Sequence, residues 1–272
     1  NQYFFLFNMA LSGIIGGAGI FMAQFYGKGD KDSIKKITGL SVIAALVLGI
    51  VFFILAVFFP NLIINFFSHD QLVVKQAREY FLVIGFCYPI MAVSYIFSMG
   101  SRSVRNPRLG MVCSSISLVI NIVLNYVFIF GHFGAPALGV KGAAVATVSA
   151  RIVEFILLIL YVYFIKEDYE LKFGIEDIKG ITKELATNVI KKTTPVFLND
   201  TFWAFGSVLY SVAYATAGTS AMAASQIAST TGNFFIMTAV CIAIGSSIMM
   251  GNELGANNID TAIKYSKKFS VL

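Results

Sequence analysis

Seven apolar segments, each about 20 residues long or longer, follow one another along this chain: 3–25, 37–67, 80–99, 109–130, 140–165, 196–217 and 220–250. A helical segment of that length matches the hydrocarbon thickness of a bilayer, and no water-soluble core has room for so many. Composition agrees: 57% of residues are hydrophobic, 12% are charged and the mean hydropathy is +0.79. The chain is therefore read as an all-α polytopic membrane protein. Segments 37–67 and 220–250 exceed an ordinary span, which predicts tilt or extension beyond the bilayer. Pro60 and Pro195 stand near segment ends, where proline is tolerated. Pro89 lies inside the third segment and predicts a kink there.

The formal net charge of +6 acquires its meaning from where the cations lie. Lys28, Lys31, Lys35 and Lys36 follow the first segment, and Arg102, Arg105 and Arg108 the third. Lys166, Lys172, Lys179, Lys183, Lys191 and Lys192 follow the fifth, and Lys264, Lys267 and Lys268 the seventh. The alternate loops hold only Lys75, Arg78 and Lys141. By the positive-inside rule, residues 27–36 and 166–192 are cytoplasmic and the residue 1 end is extracellular or periplasmic, in the plasma (inner) membrane. The basic balance is thus topology, and no nucleic-acid partner is expected.

Cys87, Cys113 and Cys241 are isolated inside apolar runs and read as small core residues. His69 and His132 stand singly in or beside loops, so no metal-ligand cluster is expected. Without a phosphate loop or catalytic triad, the chain is not read as an enzyme.

The chain also repeats itself. Setting Gly27 against Gly255, 228 residues on, pairs Phe7 with Phe235, Met9 with Met237, Ile14 with Ile242 and Gly17 with Gly245. The same register pairs Ile20 with Ile248, Met22 with Met250, Asp32 with Asp260 and Lys36 with Lys264. Each copy is an apolar helix, a glycine-containing exit and a charged helix start. Six segments separate the copies, an even number, so both point the same way, as in two halves related by an axis along the membrane normal. Residues 166–192 mix lysines with Glu167, Asp168, Glu170, Glu176, Asp177 and Glu184, and read as a solvated, partly helical linker between lobes. The chain begins inside one apolar segment and stops at the start of another, and is read as cut at both ends.

Ionisable residues well inside the segments are few: Arg151, Glu154 and Asp200. Each costs about 2.5–3.5 kcal/mol at mid-membrane and so needs a partner, water or a proton. Asp200, Trp203, Ser207, Tyr210 and Tyr214 share one helical face. A carboxylate among aromatic rings suits an organic cation, or a proton or sodium ion exchanging with it. Asn199 adds a neutral hydrogen-bonding group beside it. The competing reading is an acid paired structurally at a helix contact. Asn121 and Asn125 lie four apart, near the face of Ser114 and Ser117, and either bind an ion through carbonyl oxygen or hydrogen-bond between helices. Thr147, Arg151 and Glu154 share a face, with Arg151 and Glu154 spaced to form an intramembrane ion pair. Gln226, Thr230 and Asn233 make a polar stripe on the last span, expected to face the same cavity as Asp200.

Several stretches stand out together: AQFYGKGD (23–30), SRSVRNPRLG (101–110), NIVLNYVFIFG (121–131) running into ALGVKGAAVATVSAR (137–151), GTSAMAASQIA (218–228) and MGNELGANNIDTA (250–262). In this combination the chain resembles the multidrug and toxic compound extrusion (MATE) transporters of prokaryotic type. The resemblance covers the chain from family helix two to the start of helix nine. It implies two parallel-repeat lobes of six helices around a central cavity. Residues 1–165 would be the amino-terminal lobe (helices two to six), 166–192 the inter-lobe linker and 193–272 the start of the carboxy-terminal lobe. It implies a cation-coupled antiporter (sodium ion or proton) exporting organic cations and drugs, monomeric in the lipid bilayer, with no cofactor beyond the coupling ion. In the family an acid on helix seven serves ion or substrate coupling, here matched by Asp200. In some members it lies about one turn further on, where this chain has Trp203. The family often has Asn-x-x-x-Asp in an amino-lobe cation site, where this chain has Asn121 and Asn125. Asparagine cannot titrate, so that lobe is not expected to carry a proton.

Two other readings compete. A lipid-linked saccharide flippase of the same broad fold needs several cavity cations for a pyrophosphate, and only Arg151 is at hand. A seven-helix receptor is suggested by the span number alone and opposed by the repeat.

Overall fold

A computed structural model of the chain describes residues 2–67, 71–166, 168–216 and 219–270. Among them every regular element is a helix: α1 (Gln2–Lys28), α2 (Lys31–Phe58), α3 (Pro60–Phe67), α4 (Gln71–Ile84), α5 (Cys87–Ser103) and α6 (Pro107–Phe130). There follow α7 (Val140–Leu160), which ends in a π-turn over Tyr161–Ile165, α8 (Ile175–Lys179), α9 (Lys183–Thr216), α10 (Thr219–Gly255) and α11 (Ile259–Phe269). Five helices among the described residues are long and apolar enough to cross a membrane, or six if the bent pair α4–α5 is one span.

Seven spans were expected, and the differences have local causes. The overlong second segment breaks at Phe59, because Pro60 disfavours helix in the residue before it and then serves as the first residue of α3. The third segment bends by 48° between α4 and α5, at Gly85–Phe86 rather than at Pro89. Pro89 falls in the first turn of α5, where an N–H has no intrahelical acceptor to lose. In the sixth, α9 begins at Lys183, thirteen residues before the expected start, with Thr182 Oγ1 accepting from the Leu185 N–H at 3.2 Å as its N-cap. Pro195 is therefore internal to α9. With Lys191, Lys192, Asn199 and Asp200 in its sequence, α9 is not among the helices apolar enough to qualify.

The chain forms two compact units, one of Asn1–Ile37 with Thr182–Leu272 and one of Thr38–Ile181. In the first, α1 packs against α9 and α10, and α10 against α11. In the second, α7 packs against α4, α5 and α6.

The repeat appears in the first unit as the same helix exit made twice. At the end of α1, Gly29 stands at φ 74°, its N–H donating to Tyr26 O (3.0 Å) while the Asp30 N–H donates to Phe25 O (3.0 Å). At the end of α10, Asn257 stands at φ 63°, its N–H donating to Leu254 O (3.1 Å) while the Asn258 N–H donates to Glu253 O (2.8 Å). Both are Schellman turns, closed by the two residue types that tolerate a left-handed backbone. They lie 228 residues apart, the register of the repeat.

Gly27 and Gly255 have a different task. A Cβ on Gly27 would meet the Asn252 carbonyl, and one on Gly255 would meet the Gln24 carbonyl. Each contact is the other shifted by 228 residues, and Ala23 against Gly251 lies between them. The two exits therefore meet at one end of their helices and point the same way.

The stretch after the π-turn is partly helical, as expected, but not uniformly solvated. Tyr169 and Leu171 are fully buried. Asn106 Nδ2 donates to Tyr161 Oη and Tyr169 Oη, each at 3.3 Å, and Phe173 stacks on Phe97 at 6.2 Å. These contacts pin the segment to its own unit. Glu167 and His69 lie outside the described residues.

Candidate functional site

Polar side chains gather in each unit along one helix seam. In the unit of residues 38–181 the seam is α6 against α7, two antiparallel helices. Ser114 Oγ donates to Glu154 Oε1 at 2.7 Å, Ser117 Oγ to Ala150 O at 2.9 Å and Asn121 Nδ2 to Thr147 Oγ1 at 3.4 Å. Asn125 Nδ2 then donates to Asn121 Oδ1 at 3.0 Å, while the buried Asn125 Oδ1 has no partner among the described residues. Arg151 Nη1 reaches Glu154 Oε2 at 2.6 Å, and the Arg151 guanidinium lies 5.8 Å from the Tyr95 ring. Glu154 is 1% exposed. Its charge is neutralised within one helical turn, leaving a ladder that is net neutral, with an unused carbonyl oxygen at the Asn125 end.

In the other unit the seam is α1 against α9, also antiparallel. Gly17 lies against Thr193 and Gly13 against Phe197, neither leaving room for a Cβ. This close approach brings the Ser12 hydroxyl to Asp200, with Oγ donating to Oδ2 at 2.8 Å. Below it Lys192 Nζ sits 5.4 Å from the Phe21 ring, and beyond it Phe5 meets Trp203 at 6.0 Å. Among the described residues Asp200 makes no ion pair; its partner is a neutral hydroxyl. The neighbouring Thr201 Oγ1 is buried without a hydrogen-bond partner among the described residues.

Of the residues expected on the Asp200 stripe, Trp203, Tyr210 and Tyr214 are 62%, 70% and 46% exposed, which makes them an open aromatic surface of α9. Asn199 is exposed beside them. Thr230 and Asn233 line a shallow groove with Met237, Thr238 and Cys241, and Asp200 is not part of it. The Gln226 side chain lies outside the described residues. Cys241 is exposed, unlike the buried Cys87 and Cys113, so it is not the core residue its apolar surroundings suggest. Sequence reasoning did not find Ser12, which is 188 residues from Asp200. The available signal was a hydroxyl beside the Gly13–Gly17 spacing, which marks a helix face that another helix approaches.

Long apolar helices that carry buried polar seams and a repeated exit define a polytopic helical membrane fold. The chain belongs to the MatE family, whose profile matches residues 1–127 and 195–272. It is 26% identical over 265 residues to the probable multidrug resistance protein YoeA of Bacillus subtilis, covering 96% of this chain and 57% of that protein. To the probable multidrug resistance protein NorM of Thermotoga maritima it is 28% identical over 262 residues, covering 95% of this chain and 55% of that one. The chain thus spans a little over half the length of these curated relatives. In fold it is similar to an outward-facing multidrug resistance MATE family transporter of the MOP superfamily, with a TM-score of 0.80 at 19% identity over 97% of this chain and 58% of that one. A MATE protein solved in complex with MaD5 gives a TM-score of 0.82 at 21% identity, over 98% and 60% of the two chains.

Proposed function

We propose that this chain is part of a cation-coupled exporter of organic cations that works by alternating access of two lobes. The first lobe is 1–165 and the second starts at 193, after the cytoplasmic linker 166–192, so that the α1–α9 seam with Ser12 and Asp200 is where the two lobes meet. The observation that carries the reading is Asp200, an acid on α9 whose partner among the described residues is the neutral Ser12 hydroxyl. A carboxylate so placed must meet a cation, water or a proton. An arriving organic cation favours the ionised form, and its departure favours the protonated one, so binding and proton exchange are linked at one oxygen pair. The exposed rings of Trp203, Tyr210 and Tyr214 suit the cation face to face. Relatives named as multidrug resistance proteins support a drug-like substrate.

On α6 and α7, the open Asn125 Oδ1 with Asn121 Oδ1 and Thr147 Oγ1 suits a hard, non-titrating cation such as sodium. The protein would work as a monomer in the plasma (inner) membrane, with the residue 1 end outside and 27–36 inside. The saccharide flippase is disfavoured because a pyrophosphate needs several free cations, and Arg151, the cation deep in a described span, is spent on Glu154.

The test is ethidium efflux by the intact protein in vesicles under an imposed proton or sodium gradient. Asp200→Asn should insert normally and lose coupled efflux, and Asp200→Glu should keep part of it. Wild-type efflux by the Asn variant at equal expression overturns the reading.

A further inference from the structure

Ser12 Oγ stands within hydrogen-bond distance of two acceptors: Asp200 Oδ2 at 2.8 Å and the carbonyl oxygen of Met9, one turn back on α1, at 2.7 Å. A hydroxyl carries one proton and two lone pairs, so it cannot serve both acceptors fully at once. We propose that Ser12 is the positioning residue for Asp200, a hydroxyl that turns over with the protonation state of the acid. When Asp200 is ionised, Ser12 donates to Oδ2. When Asp200 is protonated, its own O–H donates to Ser12 Oγ, and the Ser12 proton swings to Met9 O. One proton is gained at Asp200, none is transferred from serine, and every group is satisfied in both states without backbone movement.

Three features make this more than the ordinary back-bond of a helical serine. The bond crosses from α1 to α9, at the turn where Gly13 lets Phe197 come close, so the separation is held by main chain. Among the described residues the acid also has no charged neighbour to fix its state. On α1 the titratable residues are Tyr3, Tyr26 and Lys28, all well away along the helix. On α10 they are Cys241 and Glu253, and on α9 the nearest is Lys192, eight residues from Asp200 and held over Phe21. With charges so remote, the local hydrogen bonds decide the balance. Finally, a donor matters more to the charged form, because a hydrogen bond to an ionised group is stronger than one between neutral groups.

The inference rests on the reading of Asp200 as the coupling acid, and the experiment separates the two. Ethidium efflux by the intact protein in vesicles is followed across a pH series for wild type, Ser12→Ala, Ser12→Thr, Asp200→Asn and Ser12→Ala/Asp200→Asn. Loss of the Ser12 donor should move the midpoint of the pH profile upward by about one unit, since ionised Asp200 loses more than protonated Asp200 does. Ser12→Thr should restore the wild-type midpoint, and Ser12→Ala should change nothing in the Asp200→Asn background. Should Ser12→Ala fail to fold, the near-isosteric Ser12→Cys, a weak donor, should shift the midpoint the same way. A uniform loss of efflux with the midpoint unmoved would make Ser12 merely structural and sink this inference while leaving Asp200 as the coupling acid. Wild-type efflux by Asp200→Asn would sink both.

Discussion

Replacing Glu154 by alanine takes away an acceptor that two side chains use. Ser114 Oγ donates to one carboxylate oxygen at 2.7 Å and Arg151 Nη1 to the other at 2.6 Å, with Glu154 itself 1% exposed. A hydrogen bond to a charged group is worth about 1.5–3 kcal/mol, and removing one partner of a buried ion pair costs about 3–5 kcal/mol. The Arg151 side chain keeps 28% exposure and the Tyr95 ring at 5.8 Å, so part of its charge stays compensated. That puts Glu154→Ala at the lower end, about 3 kcal/mol. Ser114→Ala should cost about 1.5 kcal/mol, because Glu154 retains its arginine. Arg151→Met should cost at least as much as Glu154→Ala, because the carboxylate left behind is the more deeply buried of the two. The double change Arg151→Met/Glu154→Leu should fall within about 1 kcal/mol of wild type, since an apolar pair of similar volume removes both desolvation penalties. The assay is reversible unfolding of the purified protein in detergent, with Glu154→Leu added as the second single variant so that the double-mutant cycle closes. Additive losses, or single variants as stable as wild type, would refute the claim that this pair is held by mutual compensation.

Gly27→Val and Gly255→Val should each lower the thermal midpoint and the folded yield, because each Cβ meets a main-chain carbonyl, at a cost of about 1–3 kcal/mol or more. Gly16→Ala, with nothing within 4 Å of its Cβ, should be neutral or stabilise by up to about 1 kcal/mol in the same measurement. Asp30 caps α2 by accepting from Ser33 N (3.0 Å) and Ser33 Oγ (2.7 Å), and Asp30→Ala should cost about 1 kcal/mol. Partial burial pushes the Asp30 carboxyl up, but the two Ser33 hydrogen bonds with Lys36 and Lys28 outweigh it and hold the group below the ordinary carboxylate range. Its contribution is therefore present above that range and lost as pH falls through the lowered value, which amide exchange in the first turn of α2 should report. Protease added to inside-out vesicles should cut near Gly180–Thr182 and spare the buried Tyr169–Leu171 stretch; cleavage only from the other face would reverse the topology.

What the sequence discloses is what depends on neighbours along the chain. The Arg151–Glu154 spacing puts both ends of an ion pair on one helical face, and the structure has the pair at 2.6 Å. The repeated exits were visible because a left-handed turn needs Gly or Asn at one position and a cap residue at the next. Even so, the alignment fell on Gly27, a packing glycine, rather than on the turn residue Gly29. What stayed hidden depends on contacts between distant segments. Nothing near Asp200 in sequence names Ser12, and nothing in the charged stretch after α7 says that Tyr169 and Leu171 will be buried while their lysine neighbours stay out. Hydropathy located the apolar runs but not the breaks at Phe59 and Gly85–Phe86, because it measures apolarity and is blind to a backbone that breaks inside an apolar run.

The crossing of α1 and α10 has the form of an isologous dimer interface: residue 24 of one copy meets the glycine of the other, and the reverse. In a true homodimer one mutation would alter both faces together, so a glycine at such a contact could change only by surviving two clashes at once. Once both copies lie in one chain, each side drifts alone. Gln24 and Asn252, Gly29 and Asn257, and Asp30 and Asn258 differ, whereas Gly27 and Gly255 are alike. With both copies in one chain the capping residues of the two halves can differ, while the backbone approach holds both crossing positions to the same smallest residue.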